Sequence, residues 1–280
     1  MNDHIVSENM IRQFREYLME QEKAEATVKK YIRDLEQIKD FLGGSPVTKA
    51  RLIEYRRVLS ESCQAVTVNG KLSAINSYLQ YWQVEGCAVK LLKIQKNSFL
   101  QEDQELKEQE YKKLLKVAQE QRKERLYHLL LTICSTGIRV SELKFITVET
   151  LERGRAEIRM KGKNRTMLLP GKLVQKLSCY VRKLHIKKGV IFCTRSGKAV
   201  DRSNICREMK KLAEAADICR KKVYPHNLRH LFARQFYAVH KNIAHLADVL
   251  GHSYIETTRI YVAVSASEHE RTMESMNLVV

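Results

Sequence analysis

The run Val28, Tyr31, Leu35, Ile38 and Leu42 sets an apolar side chain at every third or fourth position and stops at Gly43-Gly44. At 3.6 residues per turn that spacing lines one face of a helix, and glycine ends it by taking a left-handed backbone without steric cost. A stripe of this kind has to be covered, and its neighbours in sequence supply the cover. Ile11, Phe14 and Leu18 form a second stripe capped by Ser7; Leu52 and Leu59 form another, capped by Thr48 after Pro46. Val68, Leu72, Ile75, Leu79 and Trp82 mark a fourth that runs to Gly86, and Thr27 is placed to cap the second. Residues 1–90 are therefore expected to form an N-terminal four-helix bundle. Its basic residues (Lys29, Lys30, Arg33, Arg56, Arg57, Lys71) are expected to face outward, as solvated charge or as phosphate contacts.

Beyond Cys87 the pattern decays into lysines, glutamines and acidic residues, which makes 91–105 a linker and 106–280 a second domain. There Tyr111, Leu114, Leu115 and Ala118 mark a helix, and Leu129, Leu130 and Ile133 mark another, from about Arg125 to Ser135, that ends at Thr136-Gly137. Val140 to Phe145 restarts a short helix with Arg139 at the junction. Between 146 and 170 the period falls to two. Ile146 to Val148, Ala156 to Lys161 and Arg165 to Leu169 alternate as strands, with Gly162-Lys163-Asn164 as a tight turn. Helices return with Leu173, Leu177, Val181 and Leu184, and a short strand is expected at Val190 to Phe192. Ser203 is placed to cap a helix, and others start near Pro225, Asn242 and Ser253, with a last one at about Ala266 to Met276. The fold class is mainly α with a small antiparallel β-sheet.

Composition narrows the partner. Fifty Lys and Arg against 32 Asp and Glu leave a formal charge of +18, with an isoelectric point near 9.6, the balance of a protein that meets a polyanion. The seven cysteines are scattered, with no Cys-x-x-Cys pair, so neither a disulfide framework nor a zinc ribbon is indicated. With no apolar run long enough for a membrane span and no signal-like start, a cytoplasmic protein is expected.

Four segments carry the chemistry: Thr136-Gly137-Ile138-Arg139-Val140-Ser141-Glu142-Leu143, then His226-x-x-Arg229-His230, then Leu250-Gly251-His252, and Tyr261 nine residues later. Each is common by chance, but in this order and spacing they resemble the tyrosine recombinases, the phage-integrase and Xer-type family, over roughly residues 105 to 265. The N-terminal helices resemble that family's core-DNA-binding domain in size and helical content alone. The resemblance implies a tyrosine-recombinase catalytic domain in which Tyr261 is the nucleophile. A phenol with a pKa of about 10 must shed its proton as it attacks phosphorus, and His226 is the matching acceptor. Arg139 and Arg229 would hold the non-bridging oxygens, because a planar fork suits them better than a point charge, and His252 would add a donor. Glu142, three residues beyond Arg139, would orient that guanidinium.

The departing 5′ oxygen needs a general acid, which the family takes from a β-hairpin lysine. Here the hairpin, Met160-Lys161-Gly162-Lys163-Asn164-Arg165, is one residue shorter than the commoner form. Lys161, at the end of the incoming strand, is preferred over Lys163, read as part of the turn. No metal and no cofactor are expected, since the cationic side chains supply the charge and no Walker-type glycine loop or cluster of acidic ligands is present. His230, His240, His245 and His269, and Tyr224, Tyr237 and Tyr254, are read as structural or solvent-facing, and Lys187-Lys188 and Lys221-Lys222 as solvated, with DNA phosphate contact the lesser reading.

The resulting expectation is a site-specific recombinase, an integrase of a mobile element, that clamps double-stranded DNA between its two domains. It would work through a 3′-phosphotyrosyl link, as a tetramer of the same chain on paired sites, away from membranes. A type IB topoisomerase-like relaxase and an inactive DNA-binding accessory protein are the alternatives. Against the first stands the tail Val262 to Val280, which resembles the segment recombinases dock onto a neighbouring subunit; against the second stands the full set of catalytic residue types.

Overall fold

Ser7 accepts a hydrogen bond from the Met10 N–H at 3.3 Å and opens the first helix, α1 (Glu8–Glu20), as its side-chain chemistry predicts. It is followed by α2 (Glu25–Leu42), α3 (Lys49–Ser62) and α4 (Ala65–Tyr81). Their stripes meet in one core around Phe14, Leu18, Leu35, Ile38, Leu72 and Leu79. Gly43 ends α2 in the left-handed region (φ 55°), and Thr48 caps α3 through the Arg51 N–H at 3.3 Å. This computed structural model describes residues 4–94, 104–160, 163–194, 197, 199–251 and 254–259, and it divides into two compact units, 1–96 and 97–280.

Three expectations for the first unit need correction. Ala24, not Thr27, precedes α2, so Thr27 lies inside the first turn, and α4 stops at Tyr81 rather than running to Gly86. Lys30 and Lys71 are not simply solvated. Both point at Asp34, whose side chain is only 1% exposed: Lys30 Nζ lies 2.8 Å from one carboxylate oxygen and Lys71 Nζ 3.4 Å from the other. Lys30 also donates to the Gly70 carbonyl at 3.1 Å, so a buried carboxylate fastens α2 to α4 through two ammonium groups. Asn76 and Asn69 of α4 then hold the outgoing chain by bonding both backbone groups of Val89 and of Leu92.

The second unit begins with α5 (Glu108–Glu120) and α6 (Glu124–Thr136), followed by a 3₁₀ turn, Val140–Phe145. Next come α7 (Val148–Arg153), the strands β1 (Arg155–Met160) and β2 (Lys163–Leu168), α8 (Gly171–Lys183) and α9 (Arg202–Ala215). The described chain closes with α10 (Pro225–His240), α11 (Ile243–Leu250) and the short α12 (Glu256–Arg259). Apolar residues of α6, among them Leu129, Leu130 and Ile133, sit in the middle of the core, with Ala156 and Ile158 of β1 and Leu228 and Leu231 of α10 around them.

The two strands pair antiparallel from Arg155 opposite Leu168 to Met160 opposite Lys163. Lys163 and Asn164 thus belong to the second strand and not to the turn. Ser203 is not a cap either; Asp201 caps α9 by accepting the Ser203 N–H at 2.8 Å. The strand expected at 146–148 survives only as a single bridge between Thr147 and Val190, because Thr147 caps a helix that the alternation concealed. Among the described residues no helix is long and apolar enough to cross a membrane. The final helix expected at Ala266 to Met276 lies outside those residues.

Candidate active site

The site starts where α6 ends. Thr136 Oγ1 donates to the Thr132 carbonyl at 2.7 Å and receives the Ile138 N–H at 3.3 Å, so the hydroxyl splices the last helical turn to the residues that follow. Gly137 reverses the chain at φ 63°, and a Cβ there would stand 2.5 Å from Phe232 Cδ1 of α10. Only glycine meets both demands. The reversal delivers Arg139 to the start of the 3₁₀ turn. There Glu142 accepts the Arg139 N–H at 2.9 Å with one carboxylate oxygen and Arg139 Nη1 at 2.9 Å with the other. The Glu142 side chain is 5% exposed and that of Arg139 is 40% exposed, so the acid is the fixed partner and the guanidinium faces outward.

A residue that the sequence did not single out completes this pair. Arg165, on β2, donates from Nη2 to the same Glu142 carboxylate at 2.7 Å and from Nη1 to the Val249 carbonyl at 2.5 Å. Burial pushes the Glu142 carboxyl upward, but the Arg139 N–H and the charges of Arg165 and Arg139 together hold it below the usual carboxylate range. It is therefore ionised at neutral pH.

Helix α10 brings the other groups. Pro225 occupies its first turn, where a missing N–H costs nothing, and buried Asn227 anchors that end by donating to the carbonyls of Gln104 (2.9 Å) and Lys222 (2.7 Å). One turn later Arg229 is 2% exposed, the bulkiest of the fully buried side chains. Its Nη1 bonds the Gly137 carbonyl and its Nη2 the Leu250 carbonyl at 2.8 Å, which ties the ends of α6 and α11 to α10. His226 is exposed on one side and meets the His230 ring on the other, with centroids 4.8 Å apart at 64°. Partial burial, and next the Arg229 charge, hold the His226 pKa below its ordinary value. The same burial, with His226 and Arg229 as neighbours, takes His230 down to about 4, so His230 is a neutral packing partner of His226 rather than a bystander.

At the far side a helix starts near Asn242, as expected; Asn242 caps α11 through the His245 N–H at 3.0 Å, and Gly251 ends it at φ 64°. The next residue, His252, lies outside the described residues, as do Lys161 and Tyr261. Of the residues expected at the site, the structure brings together Arg139, Glu142, His226 and Arg229; Lys163 is placed by its backbone at the first position of β2.

Arg139, His226 and Arg229 line one pocket of about 500 Å³, rimmed by Arg202, Lys210 and Lys221. The pair Lys221-Lys222 is accordingly not just solvated: Lys221 edges the pocket and Lys222 bonds Glu110 at 3.1 Å. Lysines and arginines are so frequent in this chain that their position in sequence carried no signal for the rim. Among the described residues no group of three His, Cys, Asp or Glu side chains could hold a metal ion.

Guanidinium groups and an imidazole of lowered pKa around one pocket are side-chain types that suit phosphoryl chemistry. Residues 104–268 match the model of the "Phage integrase family", and residues 11–86 match that of "Phage integrase, N-terminal SAM-like domain". The chain belongs to the phage integrase family, the tyrosine recombinases, enzymes that break and rejoin DNA. Tyrosine recombinase XerA of Pyrococcus furiosus is 27% identical over 289 residues, covering 100% of this chain and 98% of that one. The fold is shared with XerH recombinase bound to palindromic difH substrate in a post-cleavage complex (TM-score 0.73, 19% identity, 98% of this chain and 90% of that one). It is shared also with a lambda integrase tetramer bound to a Holliday junction (TM-score 0.74, 15% identity, 92% and 78%).

Proposed function

We propose that this chain is a site-specific recombinase that cuts and rejoins duplex DNA through a 3′-phosphotyrosyl intermediate on Tyr261, and that it integrates a mobile element. The observation that carries the reading is the pocket in which Arg139, His226 and Arg229 converge with Glu142 behind Arg139. The Tyr261 oxygen attacks phosphorus, the bond to the 5′ oxygen breaks, and the 3′ side stays esterified to the tyrosine. His226 takes the phenolic proton; its lowered pKa keeps it neutral, and so able to accept, near pH 7. The arginines, with His252, stabilise the non-bridging oxygens, and Lys161 protonates the departing 5′ oxygen. Lys163, the first residue of β2, is the competing acid.

Rejoining reverses these steps with the 5′ hydroxyl of another strand as nucleophile, so the phosphodiester energy is conserved in the tyrosyl ester. Strand exchange by four such chains on paired sites is the assembly supported by the likeness to the lambda integrase tetramer.

The test is Tyr261→Phe on a nicked duplex carrying the DNA that flanks the gene. The variant is expected to bind but to form no SDS-resistant adduct, and an adduct from it would remove Tyr261 as nucleophile. Junction sequencing is expected to show the ends of a discrete mobile unit; junctions confined to a chromosomal dimer site would replace integration with resolution.

A further inference from the structure

We propose that Arg165 is a positioning residue of this site: by bridging the Glu142 carboxylate and the Val249 carbonyl, it holds Arg139 and the turn after α11 in one fixed relation. The inference rests on the reading above, in which Arg139 binds the scissile phosphate.

Three observations carry it. First, the two bonds, at 2.7 and 2.5 Å, reach partners 23 and 84 residues away in sequence, so one guanidinium spans the strand, the 3₁₀ turn and α11. Its side chain is largely buried, and a buried fork bonded at both tips has little freedom to reorient. Second, the fold makes room for it. A Cβ on Gly251 would overlap Arg165 Cδ and stand 2.8 Å from Nε, so the residue before His252 has to be glycine for Arg165 as well as for its own positive φ. Third, Arg165 Nε is buried without a hydrogen-bond partner among the described residues. An apolar side chain could fill the same space at lower cost, so a role confined to stability explains the arginine poorly.

The consequence is geometric. Glu142 takes the Arg139 guanidinium on one oxygen and both the Arg139 N–H and Arg165 on the other, so removing Arg165 strips one of the three bonds that fix the carboxylate and loosens its hold on the Arg139 guanidinium. The Val249 carbonyl is released in the same step, three residues before His252.

The experiment compares cleavage of a normal site with cleavage of one whose scissile phosphate is a methylphosphonate, in which a methyl group replaces a charged non-bridging oxygen. Such a substrate needs less cationic stabilisation, so a defect that acts through Arg139 shrinks on it, whereas a defect from a loosened fold does not. Arg165→Met is expected to cleave the normal site about 10²-fold more slowly, the cost of an ångström-scale misplacement, with half-site binding unchanged. On the methylphosphonate its deficit is expected to contract in parallel with that of Arg139→Ala. Arg165→Lys keeps the charge but spans one acceptor only; it is expected to fall between, and it carries the comparison where the methionine variant folds poorly. In a Glu142→Gln background Arg165→Met should add little. Equal deficits on both substrates would reduce Arg165 to a stability role, and wild-type cleavage by Arg165→Met alongside an impaired Arg139→Ala would overturn this proposal alone. An unimpaired Arg139→Ala would overturn the reading of the site itself, and the Arg165 proposal with it.

Discussion

Each unit of this protein buries a carboxylate and hydrogen-bonds it to two cationic side chains, but the two clusters are built from different residues. Asp34 (side chain 1% exposed) is held by Lys30 and Lys71, and Glu142 (5%) by Arg139 and Arg165. An ammonium is a point charge, and two of them satisfy Asp34 by converging on it, one from α2 and one from α4. A guanidinium is a fork. Arg139 spends one tip on Glu142 and still presents surface to the pocket, and Arg165 spends its other tip on a distant carbonyl. Lysines suffice where the carboxylate only joins two helices, whereas arginines are needed where the same cation must be held and must also serve another partner.

The largest effect that can break this contrast is in the first unit. Asp34→Ala leaves Lys71 buried against α2 without its counter-charge and is expected to cost about 3–5 kcal/mol in urea unfolding, with cleavage per folded molecule unchanged. A cleavage defect beyond the loss of folded protein would make the Asp34 cluster part of the site. Next comes Glu142→Gln, which is expected to slow covalent adduct formation about 10²-fold with a smaller change in stability. If that variant loses stability in proportion to activity, the two clusters do the same job.

Acid sharpens the comparison further. His230 is held at about 4 in the folded chain against about 6.5 unfolded, so as pH falls through that interval the unfolded state takes up a proton first and stability drops. Between pH 6.5 and 5 the wild type is expected to lose up to about 2 kcal/mol that His230→Asn keeps. Parallel pH–stability curves for the two proteins would show that His230 does not titrate as described. The smallest effect is on rate. With His226 below its ordinary value, the acid limb of the cleavage pH profile should fall under about 6.5; a midpoint above that would remove His226 as the base.

Legibility followed the range of the interactions. The α2 stripe, the caps at Ser7 and Thr48, the helix start near Asn242 and the break at Gly137 were readable because each depends on residues within one or two turns. Arg139, Glu142, His226 and Arg229 were readable through motif spacing; Arg139, His226 and Arg229 line one pocket, and Glu142 bonds Arg139. What escaped depends on distance. Asp34 meets Lys71 across 37 positions and Arg165 meets Val249 across 84, and neither span leaves a periodic trace. Helix α7 was missed for the opposite reason: six residues are too few to show a period, and the cap Thr147 sits in an alternation that reads as strand.

Arg229 carries one more consequence. Its two bonds end on carbonyls that close α6 and α11, and the exposed carbonyl end of a helix bears roughly half a negative charge through its aligned peptide dipoles. Two such ends aimed at one guanidinium provide about one unit of compensating charge from backbone groups that have no proton to gain. Glu142, the counter-charge of Arg139, can be neutralised by acid; the helix ends facing Arg229 cannot. Arg139 and Arg229 therefore differ in what acid does to their surroundings, and strong acid should loosen the hold on Arg139 while these bonds to Arg229 persist for as long as α6 and α11 stay folded.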